Sequence, residues 1–160
     1  MLYGVPLAGG AFNAGSNFSM STDHTHFTAL HSFDGADGST PNADLTLSAD
    51  GSMLFGTGFG GGASNAGTIF QMHSAGSGFT DLYTFTGGAD GAMPGGALTL
   101  SADGATLYGT TFLGGSSGAG TIISLGIQAL PKPATAGMLL LFSSGAIIYR
   151  RIRRWKSWRA

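Results

Sequence analysis

"SADGSMLFGTGFGGGASNAGTIFQM" fills residues 48–72, and "SADGATLYGTTFLGGSSGAGTIISL" fills residues 101–125. The second stretch restates the first. A third version, "LYGVPLAGGAFNAGSNFSM", stands at residues 2–20 without the SADG that precedes the others. Leu2, Leu54 and Leu107 begin equivalent stretches, followed by Gly4, Gly56 and Gly109, by Gly9-Gly10, Gly61-Gly62 and Gly114-Gly115, and by Gly15, Gly67 and Gly120. Between them, "FTALHSFDGADGSTPNADLTLSADG" (27–51) matches "FTDLYTFTGGADGAMPGGALTLSADG" (79–104). The period is 52 residues, and 53 where one residue is inserted before Asp90. Self-similarity of this length marks propellers, solenoids and arrays.

Each unit offers four short strands. In the most complete one they are 67–72, 79–85, 97–100 and 106–112. Alternation in the second puts Phe79, Asp81, Tyr83 and Phe85 on one face and Thr80, Leu82 and Thr84 on the other. Asp-Gly is a strong hairpin signal, because glycine accepts positive φ without a Cβ clash. Asp50-Gly51 and Asp103-Gly104 therefore read as hairpin turns, and Asp37-Gly38 and Asp90-Gly91 as turns in a longer loop ending near Pro41 and Pro94. Four antiparallel strands in about 50 residues is the size of a propeller blade, and such sheets cover their apolar faces by stacking. The fold class expected is thus all-β: tandem four-stranded, propeller-blade-like repeats over 1–125. Residues 2–8 are expected to pair as the last strand of a preceding unit. The chain reads as the end of a longer repeat protein or as a short relative that oligomerises. "MLYGVPLAGG" has neither the basic start nor the apolar run of a signal peptide.

Composition agrees with this fold. Glycine is 29 of 160 residues, charged residues are 9 %, and no cysteine is present, which excludes a disulfide scaffold and cysteine-based chemistry. Charge is segregated. All eight acidic residues are aspartates ending at Asp103, and all seven basic residues lie at Lys132 or later. A body without lysine or arginine cannot meet phosphates, so nucleic acid is not a partner.

The repeats hold few candidates for chemistry. "GFGGGASNAG" lacks the GK[ST] of a phosphate loop and recurs as "TFLGGSSGAG", so it reads as tight turns. Asp34 and Asp37 share a loop, and in the next unit Gly87 or Gly88 replaces Asp34 while Asp90 remains. Turn chemistry is the reading there, with calcium as the alternative, since calcium needs several converging oxygens. His24 and His26 would share a face if they lay on a strand, but they read as a solvated loop with no third metal ligand evident. His31 aligns with Tyr83, which points to packing. Phe18, Phe33, Phe55, Phe70, Phe85 and Tyr108 read as core. No G-x-S-x-G elbow occurs, no catalytic residue is assigned and no cofactor is implied.

After Leu125 the character changes. Residues 126–133 form a linker with Pro131 and Pro133, and residues 134–149 carry no charge. As a helix these sixteen residues reach about 24 Å, slightly short of a hydrocarbon core of about 30 Å. Arg150, Arg151, Arg153 and Arg154 follow at once. An apolar span followed by an arginine cluster is a stop-transfer arrangement, with 150–160 cytoplasmic and the acidic body outside.

The unit "LYGTTFLGG…GAGTIISL", with Leu107–Thr111, Gly114-Gly115 and the Asp90-Gly91…Pro94 loop, resembles the tandem repeat of bacterial choice-of-anchor proteins of the Gloeobacter–Verrucomicrobia type. The resemblance covers residues 2–125, and the first unit departs from it with Val5-Pro6 in place of Thr-Thr. The tail is similar to a PEP-CTERM sorting signal, with "LPKPATAG" in the motif's place and Lys132 where glutamate is usual. The resemblance implies export, display at the bacterial cell envelope, anchoring by the C-terminal helix and processing by an exosortase-type enzyme. It assigns no active residues. The function expected is non-enzymatic: adhesion or matrix contact with polysaccharide or another surface protein. The alternatives are an extracytoplasmic propeller enzyme acting on glycans and a nonfunctional fragment of a longer exported repeat protein. The enzyme would need cationic residues to clamp anionic substrates, and residues 1–131 have none.

Overall fold

The computed structural model of the chain describes residues 1–127 and, beyond them, a two-residue antiparallel pairing of Phe142–Ser143 (β12) with Ala146–Ile147 (β13). Apart from that pairing, the expected span at 134–149 and the arginines Arg150, Arg151, Arg153 and Arg154 lie outside the described residues. Among the described residues there is no helix.

Residues 1–127 form three antiparallel sheets. The first is β1 (Leu2–Gly4), β2 (Ser16–Met20) and β3 (Thr28–Ser32) in chain order. The second is β4 (Thr46–Leu47), β5 (Met53–Gly58), β6 (Thr68–His73) and β7 (Thr80–Thr84). In the third, β10 (Thr106–Leu113) pairs with β11 (Ile122–Gly126), with β9 (Thr99–Leu100) and, through its far half, with β8 (Ala92–Pro94). All four expected strands of the complete unit are present, but they split: two close the second sheet and two open the third. Leu2–Gly4 pairs with Ser16–Met20 inside the first sheet, as β5 pairs with β6 in the second. The reason is register: Gly4 faces Phe18 as Gly56 faces Phe70.

That glycine matters for the space above it. A Cβ on Gly56 would stand 2.5 Å from the Phe70 ring, and one on Gly4 would stand 2.3 Å from the Phe18 ring. The ring of one strand lies over the bare backbone of the next.

Alternation along the second sheet builds two cores. Leu54, Phe70 and Met72 join Leu30 and Phe33 in one cluster, with Tyr3 and Phe79 packed against it. Phe55 and Ile69, one residue out of step, join Phe85, Leu98 and Leu107 in the other. Sheet two is therefore covered on both faces, by sheet one and by sheet three. A thin, glycine-rich chain obtains its interior by stacking neighbours.

The outer sheets differ from the middle one in what they bury. Phe33, Phe55, Phe70 and Phe85 are buried as expected. Tyr108 is not core: it is 45 % exposed, although it occupies the repeat position of buried Phe55. Phe18, the counterpart of Phe70, is only half-buried. Each lies on the face of its sheet turned away from sheet two, which no other sheet covers among the described residues.

Two recurrent irregularities shape the stack. Pairing shifts by one residue between Asn17 and Phe18 against β3, and again between Ile69 and Phe70 against β7. The extra residues are Leu30 and Leu82, at the same repeat position. A bulge of this kind reverses the facing of all that follows. Asp81 lies opposite Phe70, on the side of sheet one, while Tyr83 lies opposite Ile69, on the side of sheet three. The single face expected for Phe79, Asp81, Tyr83 and Phe85 is thereby divided: Phe79 packs against the first core and Phe85 sits in the second.

The second irregularity is in the links between sheets. Thr40 and Met93 both have left-handed φ, 50° and 55°, each immediately before a buried proline. Residues with a side chain seldom adopt this, a β-branched one least of all. The turn is held because each residue donates its N–H backward, Thr40 to the Ala14 carbonyl and Met93 to the Ala66 carbonyl, both at 2.8 Å.

Candidate functional site

The turns come first, because they place everything else. Asp50 accepts from the Ser48 hydroxyl at 2.6 Å and from the Ser52 hydroxyl and N–H at 2.8 and 3.1 Å. Those donors, the Ser48 hydroxyl foremost, hold its carboxyl down to about 2. Asp103 accepts from Ser101 and from the Ala105 N–H in the same way, and its pKa is lowered for the same reason. Gly51 and Gly104 both donate to the serine carbonyl three residues back at 2.9 Å. These carboxylates are spent on their own loops. The glycine clusters likewise close on themselves: Gly15, Gly67 and Gly120 donate to Gly9, Gly61 and Gly114 at 3.0–3.1 Å.

Asp37 and Asp90 are different, because each is tied to a ring on the preceding strand. His31 Nε2 and Asp37 Oδ2 lie 2.6 Å apart. The Tyr83 hydroxyl donates to Asp90 Oδ2 at 3.1 Å. The aligned pair His31 and Tyr83 thus shares a polar task as well as packing. Asp37 also accepts from the Asp34 N–H, and Asp90 accepts from the Thr86 N–H and hydroxyl. The counterpart of Asp34 is therefore Thr86 and not Gly87 or Gly88. Gly38 and Gly91, the glycines after these aspartates, pack against Thr68 and Thr111.

At the seam between sheets one and two these parts converge. The His31 ring stacks on Phe79 at 3.7 Å with an interplanar angle of 8°. Phe79 also meets Phe70 at 5.2 Å and Phe33 at 5.9 Å. Two residues on, Asp81 shares the face of Phe79 and is turned toward the same seam. Asp81 is exposed by surface area, yet its carboxyl is pushed up to about 6. Desolvation against the packed seam is the first cause; the charge of Asp37 and then of Asp34 add to it, and His31 opposes. Asn17, wholly buried nearby, donates to Met72 Sδ at 3.7 Å and leaves its own Oδ1 without a partner. Alternation puts Asp81 on the face of Phe79 but could not part the two from Tyr83 and Phe85, because the bulge at Leu82 is not written in the residue types.

The seam has a measurable signature. A carboxyl raised from 3.8 to about 6 keeps its proton in the folded state while the unfolded chain has released it. That contribution is complete below pH 4 and is lost as pH rises through 6. Asp81→Asn stays neutral throughout. It is expected to match the parent near pH 4 and exceed it at pH 7 by about 1 kcal/mol, the shift being discounted for solvent screening. Urea titrations at the two pH values measure it; parallel curves for both proteins would remove Asp81 from the seam's electrostatics.

His24 and His26 lie in the exposed loop between β2 and β3, both with left-handed φ, and Thr25 bridges Asp23 and His26. They do not share a strand face. Among the described residues no group of three or more histidines and carboxylates is arranged to hold a metal ion.

What these sheets and seams define is a tandem-repeat β-protein, in which one sheet-and-linker pattern is restated along the chain. The sequence model of the Gloeobacter/Verrucomicrobia repeat matches residues 1–130, and the chain belongs to that family. No curated protein and no solved structure gives a significant match.

Proposed function

We propose that this protein is a non-enzymatic, surface-anchored repeat module, with the sheets of residues 1–125 displayed outside the membrane for adhesion or matrix contact. Residues 134–149 span the bilayer, and Arg150, Arg151, Arg153 and Arg154 hold the end in the cytoplasm until an exosortase-type enzyme processes the tail. The observation that carries this reading is the division of charge at the linker, eight aspartates before it and seven basic residues from Lys132 on. Positive residues beside an apolar span stay on the cytoplasmic side. The acidic, Ser- and Thr-rich surface suits hydroxyl-rich polysaccharide or another surface protein. The repeated turns spend their carboxylates on backbone donors, which favours a scaffold over a reaction centre.

The test is fractionation in a bacterial host. The full chain is expected in the membrane fraction, resistant to carbonate extraction, and a chain ending at residue 133 in the soluble fraction. Retention of the shortened chain in the membrane would defeat the anchor.

A further inference from the structure

The seam between sheets two and three has walls equivalent to those of the seam between sheets one and two, but among the described residues no strand fills it. At the first seam, β7 pairs along β6 and delivers Phe79 onto His31, Phe33 and Phe70. At the second, β11 takes the part of β6. Thr121, Ile122, Ile123 and Ser124 stand where Thr68, Ile69, Phe70 and Gln71 stand, and those four hold the register of β7. Among the described residues, β11 has a partner on one side only, β10. The result is an open groove of about 340 Å³ whose walls include Tyr83, Asp90, Ile123 and Leu125. Tyr83 and Asp90 are the counterparts of His31 and Asp37, and Ile123 and Leu125 those of Phe70 and Met72. The rim is apolar: Ile122 is 86 % exposed.

We infer that this groove is a strand-acceptor site, and that its occupant is an extended Phe-Thr-x-Leu-x-x-Phe segment of another polypeptide, adding along β11 with its leading phenylalanine on Tyr83. The first seam supplies the argument, since there the equivalent walls hold that segment. The chain's own continuation does not write it. The residues one period after 80–84 read Pro-Ala-Thr-Ala-Gly, with no aromatic and a proline at the start. Strand addition of this kind draws affinity from main-chain hydrogen bonds and selectivity from a side-chain pocket.

The probe is a fluorescein-labelled peptide of residues 77–86, Ser-Gly-Phe-Thr-Asp-Leu-Tyr-Thr-Phe-Thr, titrated into the full chain in detergent micelles and followed by anisotropy. Saturable binding is expected, with amides of Thr121–Ser124 gaining hydrogen-exchange protection. The peptide with alanine for its first phenylalanine is expected to bind about ten- to a hundredfold more weakly. Tyr83→Ala in the protein is expected to weaken the parent peptide while leaving the melting temperature near its original value, because Tyr83 is already part-exposed. Equal binding of the two peptides, or none, overturns the assignment. So does strong protection of Thr121–Ser124 before any peptide is added, which would mean that the chain's own residues beyond 127 or a second copy already cover the edge.

Discussion

Gly67→Ala is expected to lower the stability of residues 1–127 by about 3–5 kcal/mol, a large part of the margin of an ordinary domain. Two independent costs add. Gly67 has φ +98°, where a side chain costs roughly 1–2 kcal/mol. A Cβ there would also stand 2.5 Å from Pro94 Cδ and 2.7 Å from the Gly58 carbonyl oxygen. Neither neighbour yields easily, because Pro94 is a buried ring in the inter-sheet link and Gly58 is strand backbone. Gly51→Ala separates the two terms. Its φ is +73°, but nothing lies within 4 Å of its Cβ position, so only the backbone cost of about 1 kcal/mol remains. Urea denaturation of both variants measures the difference. Equal midpoints would mean that the turn at Gly67 is not packed against the link at all.

Phe70→Ala is the second large effect, about 3–5 kcal/mol. The ring is fully buried, lies over Gly56, and meets Phe33 at 5.3 Å and Phe79 at 5.2 Å. The loss is expected to be local in a stack whose sheets hold one another in pairs. Hydrogen exchange should show β2 and β3 losing protection while β10 and β11 keep theirs, since Phe70 belongs to the first seam and Leu107 to the second. Phe112→Ala, at a ring 61 % exposed, is expected to stay within about 1 kcal/mol of the parent. Uniform loss of protection from β2 to β11 would show that the three sheets open as one unit.

Much of this architecture is visible in the residues alone. The Asp-Gly pairs mark turns whose geometry depends on backbone donors next to them in the chain, so short-range sequence suffices. The positions of the strands follow from the glycine spacing and from alternation for the same reason. What the residues do not announce are events decided between sheets. The bulges at Leu30 and Leu82 arise from pairing with a strand about ten residues earlier, and nothing in Phe-Thr-Asp-Leu-Tyr-Thr-Phe signals the extra residue. Asp81 therefore keeps the face of Phe79 at the His31 seam, while Tyr83 and Phe85 leave it against the expectation of simple alternation. Tyr108 misleads for a related reason. Its residue type suits a core, and it matches Phe55 in the repeat, but the burial of that position depends on a sheet that would lie beyond β11. The left-handed Thr40 is equally hidden, because threonine carries no preference for that conformation.

Leu54 and Phe55 are joined by one peptide bond but answer to different partners, Leu54 to Phe33 and Phe70, Phe55 to Leu98 and Leu107. Their side chains lie on opposite faces in separate clusters, so substitutions at the two sites should couple less to each other than to partners within their own cluster. The constraint instead joins Leu54 to Phe33, twenty-one positions away, and Phe55 to Leu107, fifty-two positions away. In an alignment of these repeats, the strongest covariation should therefore fall at separations of about 21 and about 52 positions and be weak between consecutive residues. A tandem duplication copies both halves of each interface at once, so a newly made unit begins its history already matched to the one beside it.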